Sequence, residues 1–417
     1  MPSAQVVPFV SSSSASSRSE FRLKPDQRRL LSIDLFRGVL VMAMVLVTNA
    51  GDWNHVYWPL KHADWNGSTP TDMIFPSFLF LAGVSMTFSF ASRLARGATR
   101  AGLAGHIAVR SLLLILLGLF LNGFPLFDLH NLRIPGVLQR IGLCYLIGGL
   151  LYLAASRSAA PDSSSSAGRL RTNLPALAMA ILGLLAVYWA LLRFVPVPGY
   201  GVGRLDMVGN LGAYIDRSLM GTNHLWFWGG QMWDPEGLLS TLGATANLLL
   251  GILAGEWLRS SRADRSKLLG LAAAGAALML AGILLNPLLP INKKIWTDSF
   301  MLFSGGFSLL ALALLHWLID TRGWGKGRGS VIMTPALVFG SNAILGFTLA
   351  NMLTPVFGLI RFHSAAGKGL TIPEAACQFF SLFLNAWNAS LAYALFFVAL
   401  NTAILWPLYR RRIFLRL

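Results

Sequence analysis

The residues best suited to chemistry lie in two polar, aromatic-rich segments of an otherwise apolar chain. The first, 51–71, contains the run Lys61–Gly67, KHADWNG, with Asp72 following His62 by ten residues. An imidazole with an ordinary pKa near 6.5 accepts a proton from an attacking amine at neutral pH, or carries an acyl group as a nucleophile. A carboxylate beside it can orient the ring, as in catalytic triads. Asp72 has a competing role, because it opens an apolar run after Ser68–Thr71, where a carboxylate caps a helix N-terminus. The second segment, 196–236, holds Asp206, Asp216, Asn223, His224, Trp226, Trp228, Asp234 and Glu236. A membrane-interface belt accounts for tryptophans alone, but not for the Asn, Asp and His between them. Aromatic faces interleaved with amide and carboxylate hydrogen-bonders suit a sugar, which makes Trp65, Asn66, Trp226, Asp234 and Glu236 acceptor-site candidates. For Asp234 and Glu236 the alternative is capping of the helix that follows.

Other site chemistries find no signature. The seven histidines form no HxxxH, HExxH or Cys–His spacing, so no metal site is read. Cys144 and Cys377 are far apart in apolar stretches and read as buried thiols. No GxSxG, Walker A or Rossmann fingerprint stands in a strand–helix setting.

The elements that must position these residues are membrane spans. The 417 residues are 55% hydrophobic and only 12% charged, against roughly a quarter charged in a soluble domain. A span needs about 20 apolar residues. About ten are read, at 31–50, 72–92, 107–124, 136–155, 174–195, 237–257, 268–288, 299–319, 334–358 and 389–409. The segment 373–388 is apolar but carries Gln378, Asn385 and Asn388, so it is either interfacial or an extension of the last span. The fold class is therefore an all-α polytopic transmembrane helix bundle, residues 28–417, preceded by a Ser-rich, basic tail at 1–27 that reads as disordered and cytoplasmic. No cleavable signal peptide is evident.

The net charge of +17 does not mark a nucleic-acid partner. Most of the 34 Lys and Arg fall in alternate interspan clusters, the positive-inside pattern, which puts both termini, Ser164 and Gly325 in the cytoplasm and the loops 51–71 and 196–236 outside. Charged groups at span ends or within spans are functional candidates by default. Asp34 and Arg37, three apart on one helix face, are either a structural ion pair or part of a site.

RLLSIDLFRG at 29–38, KHADWNG and STPTDMIFP at 61–76, RIPGVLQRIGLCYL at 133–146, DPEGLLSTLGA at 234–244 and NKKIWTDSF at 292–300 occur in that order. Together they resemble the heparan-α-glucosaminide N-acetyltransferase family, and in particular its bacterial transmembrane glucosamine acyltransferases. The lysosomal members carry an additional luminal domain and a further span. The resemblance implies transfer of acetyl from cytosolic acetyl-CoA, a co-substrate and not a bound cofactor, to a glucosamine amine across the membrane. It assigns His62 as the active-site histidine and maps the family's active-site asparagine onto Asn49, which could donate a hydrogen bond to the oxyanion on the thioester carbonyl. The phosphates of CoA require cations, and Arg37, Arg110 and Arg140 are the candidates. The expected partners are acetyl-CoA, an amino-sugar or glycan acceptor and the lipid bilayer of a bacterial inner membrane, with a homodimer left open. A sugar or small-solute transporter fits the same spans, although the two halves share no repeated block. An O-acyltransferase acting on an envelope polysaccharide differs only in acceptor.

Overall fold

The computed structural model describes residues 30–159, 169–324, 328–363 and 369–415. The expected tail 1–27 and the loop positions Ser164 and Gly325 lie outside the described residues. The chain runs through α1 (Leu31–Val47), α2 (Ile74–Leu94), α3 (Arg100–Gly123), α4 (Val137–Ala154), α5 (Leu174–Phe194), α6 (Leu211–Met220) and α7 (Thr241–Arg259). It continues through α8 (Asp264–Leu285), α9 (Asp298–Leu315), α10 (Arg328–Ser341), α11 (Ala343–Leu359), α12 (Ile372–Ser381) and α13 (Ala386–Arg410). The only sheet among the described residues is two small hairpins, β1 (Ser156–Ala159) with β2 (Arg169–Thr172) and β3 (Arg361–His363) with β4 (Gly369–Thr371). The bundle is all-α, as the composition requires.

Helix starts are written in side chains. The Thr99, Asn173, Asn210, Thr297 and Asn385 side chains each accept a backbone N–H of the first turn they precede, satisfying donors that have no intrahelical partner. Pro175 sits in the first turn of α5, where its missing N–H is no loss.

Among the described residues eight helices are long and apolar enough to cross a membrane, or nine if the pair α10–α11 is one span. α1, with 17 residues, stands at the short end of the spanning range. The expected span 334–358 is not one straight helix. It breaks at Asn342 with a bend of 83°. Asn342 is fully buried there, its amide donating to Ile413 O and its carbonyl accepting from Leu415 N. The side chain at the break thereby pairs with backbone of the C-terminal segment and ties that segment to the bend. The ambiguous segment 373–388 forms a separate helix, α12, opened by a Thr371–Glu374 capping box, and does not extend α13.

The centre of the bundle is α2 against α7. These two have 67% and 72% of their spanning residues buried, against 17% for α8 and 22% for α5, which face outward. Gly83 and Gly251 permit the close approach, since a Cβ on either would collide with the carbonyl of Leu248 or Phe80 on the facing helix. The loops 48–73, 124–136, 195–240 and 286–297 all gather at one end of the bundle, as the expected alternation of spans demands. Ile134 N donates to His224 O, Gly67 N to Ile291 O and Trp65 Nε1 to Leu205 O. This is the His62 end.

Candidate active site

His62 sits on the loop between α1 and α2, and Asp72 on the 3-10 turn (Pro70–Met73) that leads into α2. The loop folds back through Gly67, whose φ of +96° lies in the left-handed region that glycine tolerates. Closure brings His62 Nδ1 to 2.7 Å from Asp72 Oδ1. The second oxygen, Oδ2, accepts Ala63 N–H at 3.1 Å, Thr69 N–H at 3.0 Å and the Thr69 hydroxyl at 3.1 Å. A carboxylate receiving this many donors is ionised and can only accept. Nδ1 therefore carries the proton, and Nε2 holds the free lone pair. Asp72 is 1% exposed while the His62 side chain is 45% exposed, so a fixed buried base-orienter serves a ring open to substrate. Capping and orientation are not alternatives here: Oδ2 closes the turn, and Oδ1 holds the imidazole.

A third group stands at the same point. Lys293 Nζ, from the loop before α9, lies 3.2 Å from His62 Nδ1 and 3.7 Å from Asp72 Oδ1. Partial withdrawal from water and the Lys293 charge hold the imidazole below its ordinary value, while the bond to Asp72 pulls the other way. Lys293 is itself lowered by burial and supported by Asp72 and Glu236.

Next to the dyad is an aromatic wall. Trp65 and Trp226 each meet Trp233 edge-on at 5.1 Å, and Lys294 Nζ lies 5.2 Å from the Trp233 ring. Asn66 Oδ1 accepts from Asn292 Nδ2 at 3.1 Å. Trp65 and Asn66 follow His62 by three and four residues on one loop, and Trp226 meets Lys294, the neighbour of Lys293, at 6.0 Å. Asp234 and Glu236 are committed to Arg133, which forks onto Asp234 at 2.8 and 2.6 Å and reaches Glu236 at 2.5 Å. Neither carboxylate caps α7, which begins at Thr241 after Ser240. Burial raises Asp234, against the opposing pull of Arg133, whereas Arg133 and Arg140 overcome burial and lower Glu236.

The three arginines do not share a site. Arg140 lies one turn into α4 at the His62 end, almost fully buried, where it donates to Gly237 O at 2.7 Å and to the Ser240 hydroxyl and covers the Trp296 ring at 5.3 Å. Arg110 is further along the bundle, over the Tyr145 ring at 4.9 Å. Arg37 is towards the opposite end, bonded to Asp34 at 3.2 Å and to Ser85 Oγ at 2.7 Å. Asn49 is buried at the end of α1, where its carbonyl accepts from the Thr354 hydroxyl at 2.5 Å and its amide donates to Val45 O at 2.8 Å. No hydrogen bond joins it to His62 or Asp72 among the described residues.

Sequence reasoning passed over Lys293, Asn292, Arg133 and Trp233. The signal for the first two was the NKKIWT block itself, whose two lysines stand out at the end of an apolar chain segment. Arg133 and Asp234 are 101 residues apart, and no local pattern pairs them.

The profile described as heparan-alpha-glucosaminide N-acetyltransferase, catalytic, matches residues 29–189, which include His62 and Asp72. The heparan-alpha-glucosaminide N-acetyltransferase of Mus musculus is 33% identical over 366 residues, covering 79% of this chain and 54% of its own length. That of Homo sapiens is 32% identical over 362 residues, covering 78% of this chain and 53% of its own. The chain spans about half the length of these curated relatives. The ordered blocks, the helical bundle and these matches agree, and the chain belongs to the heparan-α-glucosaminide N-acetyltransferase family.

Proposed function

We propose that this protein is an integral membrane acyltransferase that moves acetyl from acetyl-CoA to the amine of a glucosamine-type sugar. The observation that carries the reading is the His62–Asp72 contact of 2.7 Å, with the imidazole open to substrate and the carboxylate buried. The amine nitrogen attacks the thioester carbonyl, the C–S bond breaks, and CoA leaves as a thiolate. His62 Nε2 takes the amine proton and returns it to the thiolate sulfur. In the two-step variant Nε2 attacks first, acetyl-histidine forms, and the amine displaces it. Asp72 stabilises the ring in both variants by holding Nδ1–H.

The sugar approaches against Trp65, Asn66 and Trp226, which present indole faces and an amide beside the dyad. Asp234 and Glu236 support that wall through Arg133. Asn49 can donate to the oxyanion through the amide N–H that now reaches the Thr48 hydroxyl at 3.1 Å, while its other N–H stays on Val45 O. Acetyl-CoA enters from the cytoplasm, with Arg37 and Arg110 as the phosphate contacts nearer that side, and Arg140 serves the His62 end. The His62 end faces out of a bacterial inner membrane, and the termini face the cytoplasm, as the Lys and Arg distribution supports.

The test is free-thiol release by purified full-length protein given acetyl-CoA with or without glucosamine. Release that requires the amino sugar, with N-acetylglucosamine as the product, is expected. Multiple-turnover release that is independent of acceptor, or none at all from folded protein, overturns the assignment, whereas a single equivalent released without acceptor marks the two-step variant.

A further inference from the structure

A histidine bonded to a buried carboxylate has a defect as a base. The carboxylate favours the imidazolium, and a ring already protonated accepts nothing. The site contains a second charge that opposes this. The geometry points to Lys293 as a positioning residue that keeps the His62 imidazole neutral while Asp72 orients it, an inference that rests on the acyltransferase reading of the same site. The ammonium is 3.2 Å from Nδ1 and 3.7 Å from Asp72 Oδ1, so one cation faces both members of the dyad. Its contact with Nδ1 is not a hydrogen bond in this state, because Nδ1 already carries the proton it gives to Asp72.

The placement is built into the fold. Gly67 N donates to Ile291 O at 2.7 Å, and Asn292 Nδ2 donates to Asn66 Oδ1 at 3.1 Å, which aligns the loop carrying His62 beside the loop carrying Lys293. Asn292 Oδ1 accepts the N–H groups of Lys294 and Ile295 at 2.8 and 3.1 Å, and so fixes the turn that aims Lys293 inward. The Lys293 side chain is 13% exposed. A cation this far withdrawn from water is weakly screened, and its influence on a contacting ring is correspondingly large.

The charged groups around the ring are Asp72 from the turn before α2 and Lys293 and Lys294 from the loop before α9. Beyond them stand Asp64, Glu236 and Arg140, which act on the lysines. Lys294 is the more distant of the two and rests against the Trp233 and Trp226 rings. Of the cations among the described residues, only Lys293 touches the dyad. An ammonium at this point also disfavours approach of the acceptor as a second ammonium, so the free amine is the form that reaches the thioester.

The test follows His62 itself, so it stands apart from whether acetyl is transferred. Full-length protein in detergent is treated with diethylpyrocarbonate across pH 5 to 8 (a range that brackets ordinary imidazole titration), and carbethoxylation of His62 is read by mass spectrometry. Only the neutral ring reacts. Lys293→Met should move the midpoint up by about one pH unit, which lowers reactivity near pH 6 by several-fold to about tenfold. Lys293→Arg keeps the charge and should titrate as the wild type. Asp72→Asn should move the midpoint the opposite way. If Lys293→Met does not fold, Lys293→Gln is read in its place. A midpoint in the charge-neutral variant equal to the wild type, or one that moves down, overturns the proposal. An absence of acetyl transfer by the folded wild-type protein would overturn the enzymatic reading and leave this result standing.

Discussion

The backbone N–H of Gly67 donates to the carbonyl of Ile291 at 2.7 Å, which fastens the KHADWNG loop to the loop that opens α9. This contact and the Asn66–Asn292 pair set the separation of His62 and Lys293. Sites held by backbone and side chain together lose activity when the supporting shell loosens by a fraction of an ångström.

Asn292→Ala removes the Asn66 partner and the one oxygen that accepts two backbone N–H groups of the following turn. We expect kcat to fall by about tenfold or more, with a stability loss of about 1–3 kcal/mol for the donors left unsatisfied. Steady-state kinetics and thermal unfolding check both. An unchanged kcat with lowered stability would show that the loop contact has no part in positioning the dyad.

Asp234 and Trp226 should separate cleanly. Asp234 has a fully buried side chain and is forked by Arg133, so Asp234→Ala leaves a mostly buried guanidinium with Glu236 as its remaining carboxylate and should destabilise by about 1–3 kcal/mol. Trp226→Ala should leave folding intact and raise the acceptor KM about tenfold, the equivalent of about 1.4 kcal/mol of binding, with acetyl-CoA KM unchanged. Thermal unfolding and two-substrate kinetics distinguish them. Equal effects on both substrates from Trp226→Ala would remove that residue from the acceptor site.

The His62 shift fixes the direction of pH dependence. Its value is lowered by partial burial and by Lys293, so the ring is neutral at pH 7, and activity should fall only as pH drops below the ordinary imidazole value of about 6.5. Asp72→Asn removes the partner that raises it. The acid limb should then move to still lower pH, while kcat falls by about 10²–10⁴ because the ring loses its orienting acceptor. A limb that moves to higher pH would reverse the roles given to Asp72 and Lys293.

How much of this was legible in the sequence depended on separation along the chain. The His62–Asp72 pair is ten residues apart within one tight loop, and its residue types alone suggested an oriented base. The spans were legible because lipid demands long apolar runs. The break at Asn342 was not, because the residues its side chain pairs with, Ile413 and Leu415, are more than seventy positions away. Arg133–Asp234 and Lys293–His62 were hidden for the same reason. Arg140 carried a usable clue: it lies in the first turn of a span that begins at the His62 end, which separates it from Arg37. Asn49 shows the converse, since a loop position near His62 in sequence gives no side-chain direction, and in the structure it turns to Thr354.

Orientation can be read by labelling. With Cys377 replaced by Ser, a cysteine at Val202, 59% exposed in the loop before α6, should react with a membrane-impermeant thiol reagent in intact cells. A cysteine at Arg262, in the link between α7 and α8, should react only after lysis. The opposite pattern would invert the bundle.

The most direct measurement compares His62→Ala with His55→Ala. His55 is also paired with a carboxylate, Asp52 at 2.6 Å, but its partner is about a third exposed and no lysine contacts it among the described residues. Thiol release from acetyl-CoA in the presence of glucosamine is followed for both variants, with folding and CoA binding verified. His62→Ala should lose at least about 10²-fold in kcat, the lower range of general base catalysis, and His55→Ala should stay near wild type. Turnover by His62→Ala close to wild type, or an equal loss in His55→Ala, would contradict the assignment of His62 as the group that accepts the amine proton or carries the acetyl.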